Sequence, residues 1–319
     1  MKDGFVSIII PCKEMDNFTR NCVATCLKLD YPSLEILVLP DFSDENAKPR
    51  PDPRVEIIPT GPIKPSVKRN QGALRCRGNI LAFIDSDAVP NGDWIKRAVP
   101  CFEKAEVGAV GGPNITPPDA GMMERASGMV LSSFIGGGKF AIRYSCSSEK
   151  MQECDELPSC NLFVRKSSFR EAGGFEEGFL TAEDAKLCFQ IKSNGQKILY
   201  SPDVLVYHHR RPLFMPYLKQ IWNYGRDKAT LFKKYPEFKR PFYYVPSLFL
   251  LWIFFGGILA TGFEEARLLY AFSLLGYMLM LIIAGISTKD LKMFPLVSLG
   301  IAMTHITYGA AFLKGSISR

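Results

Sequence analysis

Short, unbroken apolar runs alternate with amphipathic stretches through the first two thirds of the chain. Phe5-Val6-Ser7-Ile8-Ile9-Ile10, Leu34 to Leu39, Val55 to Ile58 and Ile80 to Ile84 are such runs, each closed by a polar break or a proline. That is the pattern of buried parallel strands. Between them, Phe18 to Leu29 places Val23 and Leu27 on one helical face before Tyr31-Pro32 stops it. Lys68-Arg69-Asn70-Gln71-Gly72 opens a second helix. Strands alternating with helices predict right-handed βαβ units and a mostly parallel α/β sheet. The GxGxxG turn of a dinucleotide-binding oxidoreductase is absent after the first strand.

The pattern changes toward the C-terminus. Leu213 to Tyr235 sets Phe214, Tyr217, Ile221, Trp222 and Leu231 against Lys219, Arg226, Lys228, Lys233 and Lys234, which suits a helix in a membrane interface. Beyond it, residues 245–263, 268–286 and 294–313 are each long and apolar enough to cross a bilayer, which takes about 20 residues. Glu264-Glu265-Ala266-Arg267 and Lys289-Asp290-Leu291-Lys292 read as the connections. The predicted division is 1–211 for the α/β domain, 212–244 for the interface segment and 245–319 for three transmembrane helices. The basic flank Lys233–Arg240 points to the cytoplasm. His305, inside the third span, is a functional candidate, with Gly300, Thr304 and Gly309 offering helix packing instead.

Composition narrows the partners. The net charge of +7 suits an anionic membrane surface or phosphate-bearing ligands, and no Lys/Arg cluster forms a nucleic-acid stripe. Nine cysteines without metal-ligand spacing, and no secretory signal, predict reduced cytosolic thiols.

The chemistry sits at strand ends, where open α/β sheets bind ligands. Glu14, Asp41 and the pair Asp85 and Asp87 follow three of the predicted strands; Ser43 and Asp44 suit the turn after the second. Asp85 and Asp87, one residue apart, offer oxygens to Mg²⁺ or Mn²⁺. Thr181-Ala182-Glu183-Asp184 opens a helix with two acids, and His208-His209 follow an apolar strand. Gly136-Gly137-Gly138 lacks the order of a phosphate loop and is expected to be a mobile segment near the acceptor.

Ser7-Ile8-Ile9-Ile10-Pro11, Tyr31-Pro32 before Leu34-Glu35-Ile36, Lys68-Arg69-Asn70-Gln71-Gly72 and Asp85-Ser86-Asp87 together resemble the family 2 glycosyltransferases over residues 5–235. The resemblance implies a GT-A fold, a nucleotide-diphosphate sugar donor and a divalent metal. It places Pro11, Glu14, Asp41, Lys68, Arg69 and Asp85 at the donor nucleotide, with Lys68 and Arg69 on the diphosphate. It places Asp87, Asp85 and His208 or His209 at the metal, and Asn161, Gln220 and Arg226 at the donor sugar and acceptor. Asp184, with Glu183 beside it, becomes the catalytic base. Pro40 and Phe42 depart from the family's Asp-Asp-Gly-Ser turn, which leaves the nucleobase open. The expected activity is transfer to a lipid-linked, polyprenyl acceptor in polysaccharide or glycan assembly at the cytoplasmic face of a membrane. A processive synthase or a non-catalytic nucleotide-sugar-binding protein are the alternatives.

Overall fold

The computed structural model describes residues 4–43, 52–146 and 150–318, so Asp44 lies outside the described residues. The chain divides into two compact units, Met1–Pro117 with Ser145–His209, and Pro118–Tyr144 with Arg210–Arg319. Residues 118–144, which precede the sequence-based boundary at 211, thus group with the C-terminal helices.

Among the described residues, the first unit is built on eleven strands. The first four are β1 (Val6–Pro11), β2 (Leu34–Leu39), β3 (Val55–Ile57) and β4 (Ile80–Ile84). Then come β5 (Ala88–Pro90), β6 (Val107–Gly111), β7 (Asn114–Ile115) and β8 (Gln152–Glu153). The last are β9 (Asn161–Arg165), β10 (Lys197–Tyr200) and β11 (Val206–His208). Eight of them form one sheet in the order β3-β2-β1-β4-β9-β6-β10-β8. β1 runs parallel to both β2 and β4, and β6 parallel to β10, while β9 is reversed between β4 and β6. Every residue of β1, β2 and β4 is buried, as their continuous apolar runs require. A smaller sheet, β5-β11-β7, stands beside these strand ends.

Helices at Asn17–Leu27, Pro65–Arg75 and Glu183–Ser193 belong to this unit. Asp16 caps the first by accepting the Thr19 N–H at 2.8 Å. Gly111-Gly112-Pro113 ends β6 where backbones crowd: a Cβ on Gly112 would lie 2.2 Å from the Val204 carbonyl oxygen. Only glycine fits there.

The second unit is helical, with Met122–Ser132, Phe134–Gly137, a 3₁₀ stretch Gly138–Tyr144 and the 20-residue helix Met215–Lys234. Gly136 and Gly137 thus lie in a helical turn, and Gly138 leaves it at φ 57°. A Cβ on Gly137 would meet the Leu131 carbonyl oxygen at 2.0 Å, so the glycines permit a close turn. Three helices long and apolar enough to cross a membrane follow, Pro241–Gly262, Glu264–Ile286 and Met293–Ile317. Glu264-Glu265-Ala266-Arg267 is not the connection between the first two; it is the first turn of the second, and Phe263 alone separates them. Acids at a helix N-terminus meet the positive end of its dipole. Within the first of these helices, Trp252–Gly256 widens into a π-turn, and the Tyr270 hydroxyl donates to the Ile253 carbonyl at 3.0 Å.

Candidate active site

The carboxyl ends of β1, β2 and β4 carry Pro11, Asp41 and Asp85. Pro11 is the last residue of β1 and pairs with Leu39; Glu14, three residues on, is exposed. Lys68 enters from the helix Pro65–Arg75 and is almost wholly buried. Its Nζ donates to the Cys12 carbonyl at 2.5 Å, the Leu39 carbonyl at 3.2 Å and the Asp41 carboxylate. Lys68 thus staples two strand ends together.

Arg69 is equally buried and bridges two acidic centres. Its Nη2 donates to Asp85 Oδ1 at 2.6 Å and its Nη1 to Glu183 Oε1 at 3.1 Å. The sequence places both basic residues on the diphosphate; in the fold each is engaged by a carboxylate first. Arg69 links the two acid pairs, which lie about a hundred residues apart in the chain.

β11 brings His208 to the other face of the acidic pair. His208 pairs with Ala88 across the small sheet, and its Nε2 stands 3.1 Å from Asp87 Oδ1. Ligand atoms of Asp85, Asp87 and His208 all lie within 4.8 Å of one another. Two carboxylates and an imidazole suit a divalent cation such as Mn²⁺, which accepts nitrogen as well as oxygen. Burial alone would push His208 down, but Cys160 and then Asp87 outweigh it and raise its proton affinity to about 10. His209 goes elsewhere: its ring meets Phe18 edge-on at 4.8 Å.

Glu183 and Asp184 begin the helix Glu183–Ser193 and differ in exposure. Glu183 is buried, and burial followed by the charge of Asp184 pushes it up to about 8. Its Oε2 has no hydrogen-bond partner. Asp184 is half-buried; its Oδ1 accepts the Ala185 N–H at 2.7 Å and its Oδ2 the Ser159 N–H at 3.3 Å. Just before them, Ala182 sits at φ 75°, a left-handed conformation that costs an alanine energy.

Asn161 does not face an open site. It is fully buried, accepting from Trp94 Nε1 at 2.8 Å and donating to the carbonyls of Pro113 at 2.9 Å and Val204 at 2.7 Å. All its hydrogen-bonding capacity in those three directions goes to holding the turn after β6 against the approach to β11. Gln220 and Arg226 lie on the helix Met215–Lys234 of the second unit, where Arg226 Nε donates to Asp227 at 2.9 Å. Sequence reasoning missed the Arg69 bridge, Cys160 and the strained Ala182. No residue type marks an alanine as left-handed, and a bridge between distant carboxylates leaves no local pattern.

An α/β unit with two carboxylates and an imidazole gathered where a cation could bind, and an acid pair opening a helix joined to them by Arg69, is the arrangement of a group-transfer enzyme. The family model "Glycosyltransferase like family 2" matches residues 3–222, and the chain belongs to that family. Among curated relatives, the pre-mycofactocin glycosyltransferase of Mycobacterium tuberculosis is 27% identical over 189 residues, 59% of this chain. The match spans only 39% of that relative's own length. Glycosyltransferase AglE of Haloferax volcanii is 26% identical over 241 residues, covering 71% of this chain and 74% of the relative. A Methanococcus voltae enzyme, named as a dolichyl N-acetyl-α-D-glucosaminyl phosphate 3-β-D-2,3-diacetamido-2,3-dideoxy-β-D-glucuronosyltransferase, is 21% identical over 72% of this chain and 75% of its own. Among solved structures, mannosyltransferase PcManGT of Pyrobaculum calidifontis, in complex with GDP-Man and Mn²⁺, covers 99% of this chain and 88% of its own. Its TM-score is 0.60 at 17% identity, a likeness of fold. The fold is GT-A.

Proposed function

We propose that the chain is a membrane-bound, metal-dependent glycosyltransferase that moves a sugar from a nucleoside-diphosphate sugar to a lipid-linked, polyprenyl-type acceptor. The observation that carries this reading is the Asp85–Asp87–His208 cluster, tied through Arg69 to the acid pair Glu183–Asp184. Relatives named for dolichyl-phosphate substrates, in Methanococcus voltae and Haloferax volcanii, support the acceptor class.

Asp85, Asp87 and His208 would hold Mn²⁺ or Mg²⁺, which when bound neutralises charge on the diphosphate leaving group. Asp184 takes the proton of the acceptor hydroxyl. The acceptor oxygen then bonds to the anomeric carbon, and the electrons of the breaking C–O bond leave with the diphosphate. Attack from the opposite side inverts the anomeric configuration. Burial, followed by the charge of Asp184, raises the proton affinity of Glu183 beside the base. Arg69 holds Asp85 and Glu183 in register. Glu14 and Asp41 face the nucleoside. Lys68 positions Asp41 rather than binding phosphate, and Asn161 shapes the site through the turns it clamps. The active unit faces the cytoplasm, where nucleotide sugars are made.

The test is turnover of a panel of nucleotide sugars by the detergent-solubilised chain with Mn²⁺, Mg²⁺ or EDTA. Metal-dependent release of one nucleoside diphosphate, reduced about 10²–10⁴-fold in Asp184→Asn, is the expected result. No turnover of any donor, with membrane lipid extract present, would leave a binding protein instead.

A further inference from the structure

Length and composition alone make Met293–Ile317 a third membrane span. Its partners say otherwise. From Gly300 onward it runs beside the helix Met215–Lys234, and the contact pairs climb together along both. A Cβ on Gly300 would lie 3.1 Å from Leu213, just before that helix begins. The hydroxyls of Tyr217 and Thr304 are 2.8 Å apart. Gly225 packs on the Tyr308 carbonyl, Gly315 on the Arg226 carbonyl, and Lys233 donates to the Ser318 carbonyl. Two helices packed in parallel over this length share one tilt and one depth.

The helix Met215–Lys234 cannot cross a bilayer. It carries Lys219, Arg226, Asp227, Lys228, Lys233 and Lys234, and charges at mid-membrane are costly even on the lenient insertion scale. Whatever depth it takes, Met293–Ile317 takes too.

The other two helices form an antiparallel hairpin. Phe249 packs on Tyr277 with ring centroids 4.3 Å apart, and Trp252 Nε1 donates to Ser273 at 2.9 Å. Met293–Ile317 meets both in descending order. Tyr244 and Pro246 face Phe312 and Gly309, while Gly285, Leu281 and Tyr277 face Phe294, Ser298 and His305. A rod antiparallel to both arms of an antiparallel hairpin is aligned with neither. It crosses their feet, at residues 244–249 and 277–285. Burial agrees: 39% of its apolar window is buried, against 11% for each arm.

We propose that the anchor is a two-span hairpin, Pro241–Gly262 and Glu264–Ile286, and that Met293–Ile317 lies with Met215–Lys234 on the membrane surface. The occupant of this surface is the acyl-chain layer of the bilayer. An open groove of about 440 Å³, lined by Met215, Pro216, Leu218, Lys219, Trp222 and Thr307, lies along the helix pair. Met215 there is 76% exposed. Such a groove is costly in water and comfortable among lipid tails. Thr307 of its lining lies on Met293–Ile317 between His305 and Gly309, which meet the hairpin's feet, and this argues for lipid as the cover. With two crossings, Ser318 lies on the same side of the membrane as Lys239, where the hairpin begins. This inference rests on the membrane reading of the hairpin and not on the chemistry proposed for the acidic cluster.

The test is side-specific labelling of the full chain in sealed vesicles with a membrane-impermeant maleimide, in a Cys146→Ser background. Ser318→Cys, Lys239→Cys and Glu265→Cys are compared before and after permeabilisation. Ser318→Cys and Lys239→Cys should react from one side, and Glu265→Cys from the other. Ser318→Cys reacting with Glu265→Cys would restore three spans and overturn the proposal. All three reacting from one side would overturn it as well, since the hairpin would not cross. Neither outcome depends on sugar transfer, so a failure here is separable from a failure of the catalytic reading.

Discussion

Ala182 is the residue where local preference yields to the site. Its φ of 75° carries the chain into the helix so that Glu183 and Asp184 both open the first turn. Ala182→Gly should stabilise the fold by about 1 kcal/mol, because glycine takes this conformation without a Cβ penalty. Ala182→Val should destabilise by more than that and lower turnover; chemical denaturation of both variants checks the sign. Glu183 supplies a pH dependence. Its folded value of about 8 lies above the ordinary 4.5, so the native state keeps a proton that the unfolded chain gives up. The resulting stability is complete below the unfolded value and lost as pH rises through the folded one. Between those limits wild type should lose up to about 1.4 kcal/mol per pH unit relative to Glu183→Gln, read from thermal unfolding at successive pH values. Arg69→Lys should lower kcat sharply, since an ammonium cannot span Asp85 and Glu183 as the guanidinium fork does. The acids could be read from the sequence because they directly follow apolar runs or open a helix. The fates of Lys68, Arg69 and Asn161 could not, because each is consumed by partners far away in the chain.

At the scale of elements, strands β1, β2 and β4 announce themselves through continuous apolar runs. The two- and three-residue strands β5, β7, β8 and β11 do not: they are too short to show a period, yet β5 and β11 set the distance between Asp87 and His208. The charges at Glu264 and Glu265 resemble a loop in sequence, yet the helix dipole stabilises them in a first turn. Gly112 shows an element fixed by backbone alone. Gly112→Ala would force a Cβ against the Ser201 and Val204 carbonyls, and should cost several kcal/mol or prevent folding. The soluble yield and unfolding midpoint of that variant measure it. The α/β class and the apolar C-terminal helices were thus evident in the sequence. The segment 118–144 was not, since no composition shift betrays its grouping with the C-terminal unit.

For the whole molecule, a cation held as proposed by Asp85, Asp87 and His208 would bind only the folded chain. Saturation at a hundred times Kd should therefore add about 2.7 kcal/mol to stability. Mn²⁺ should raise the unfolding midpoint, EDTA should reverse the gain, and Asp87→Ala should abolish it. The small sheet gives this site a history as well as a geometry. Its strands come from residues 88–90, 114–115 and 206–208, so the acids leave the ribosome long before the imidazole. A chain halted at Tyr200 already holds every strand of the large sheet but only two of the three ligands. Closing so long a loop comes late in folding. Unfinished copies would bind the cation poorly, and the ion would settle only in chains whose last strand has docked.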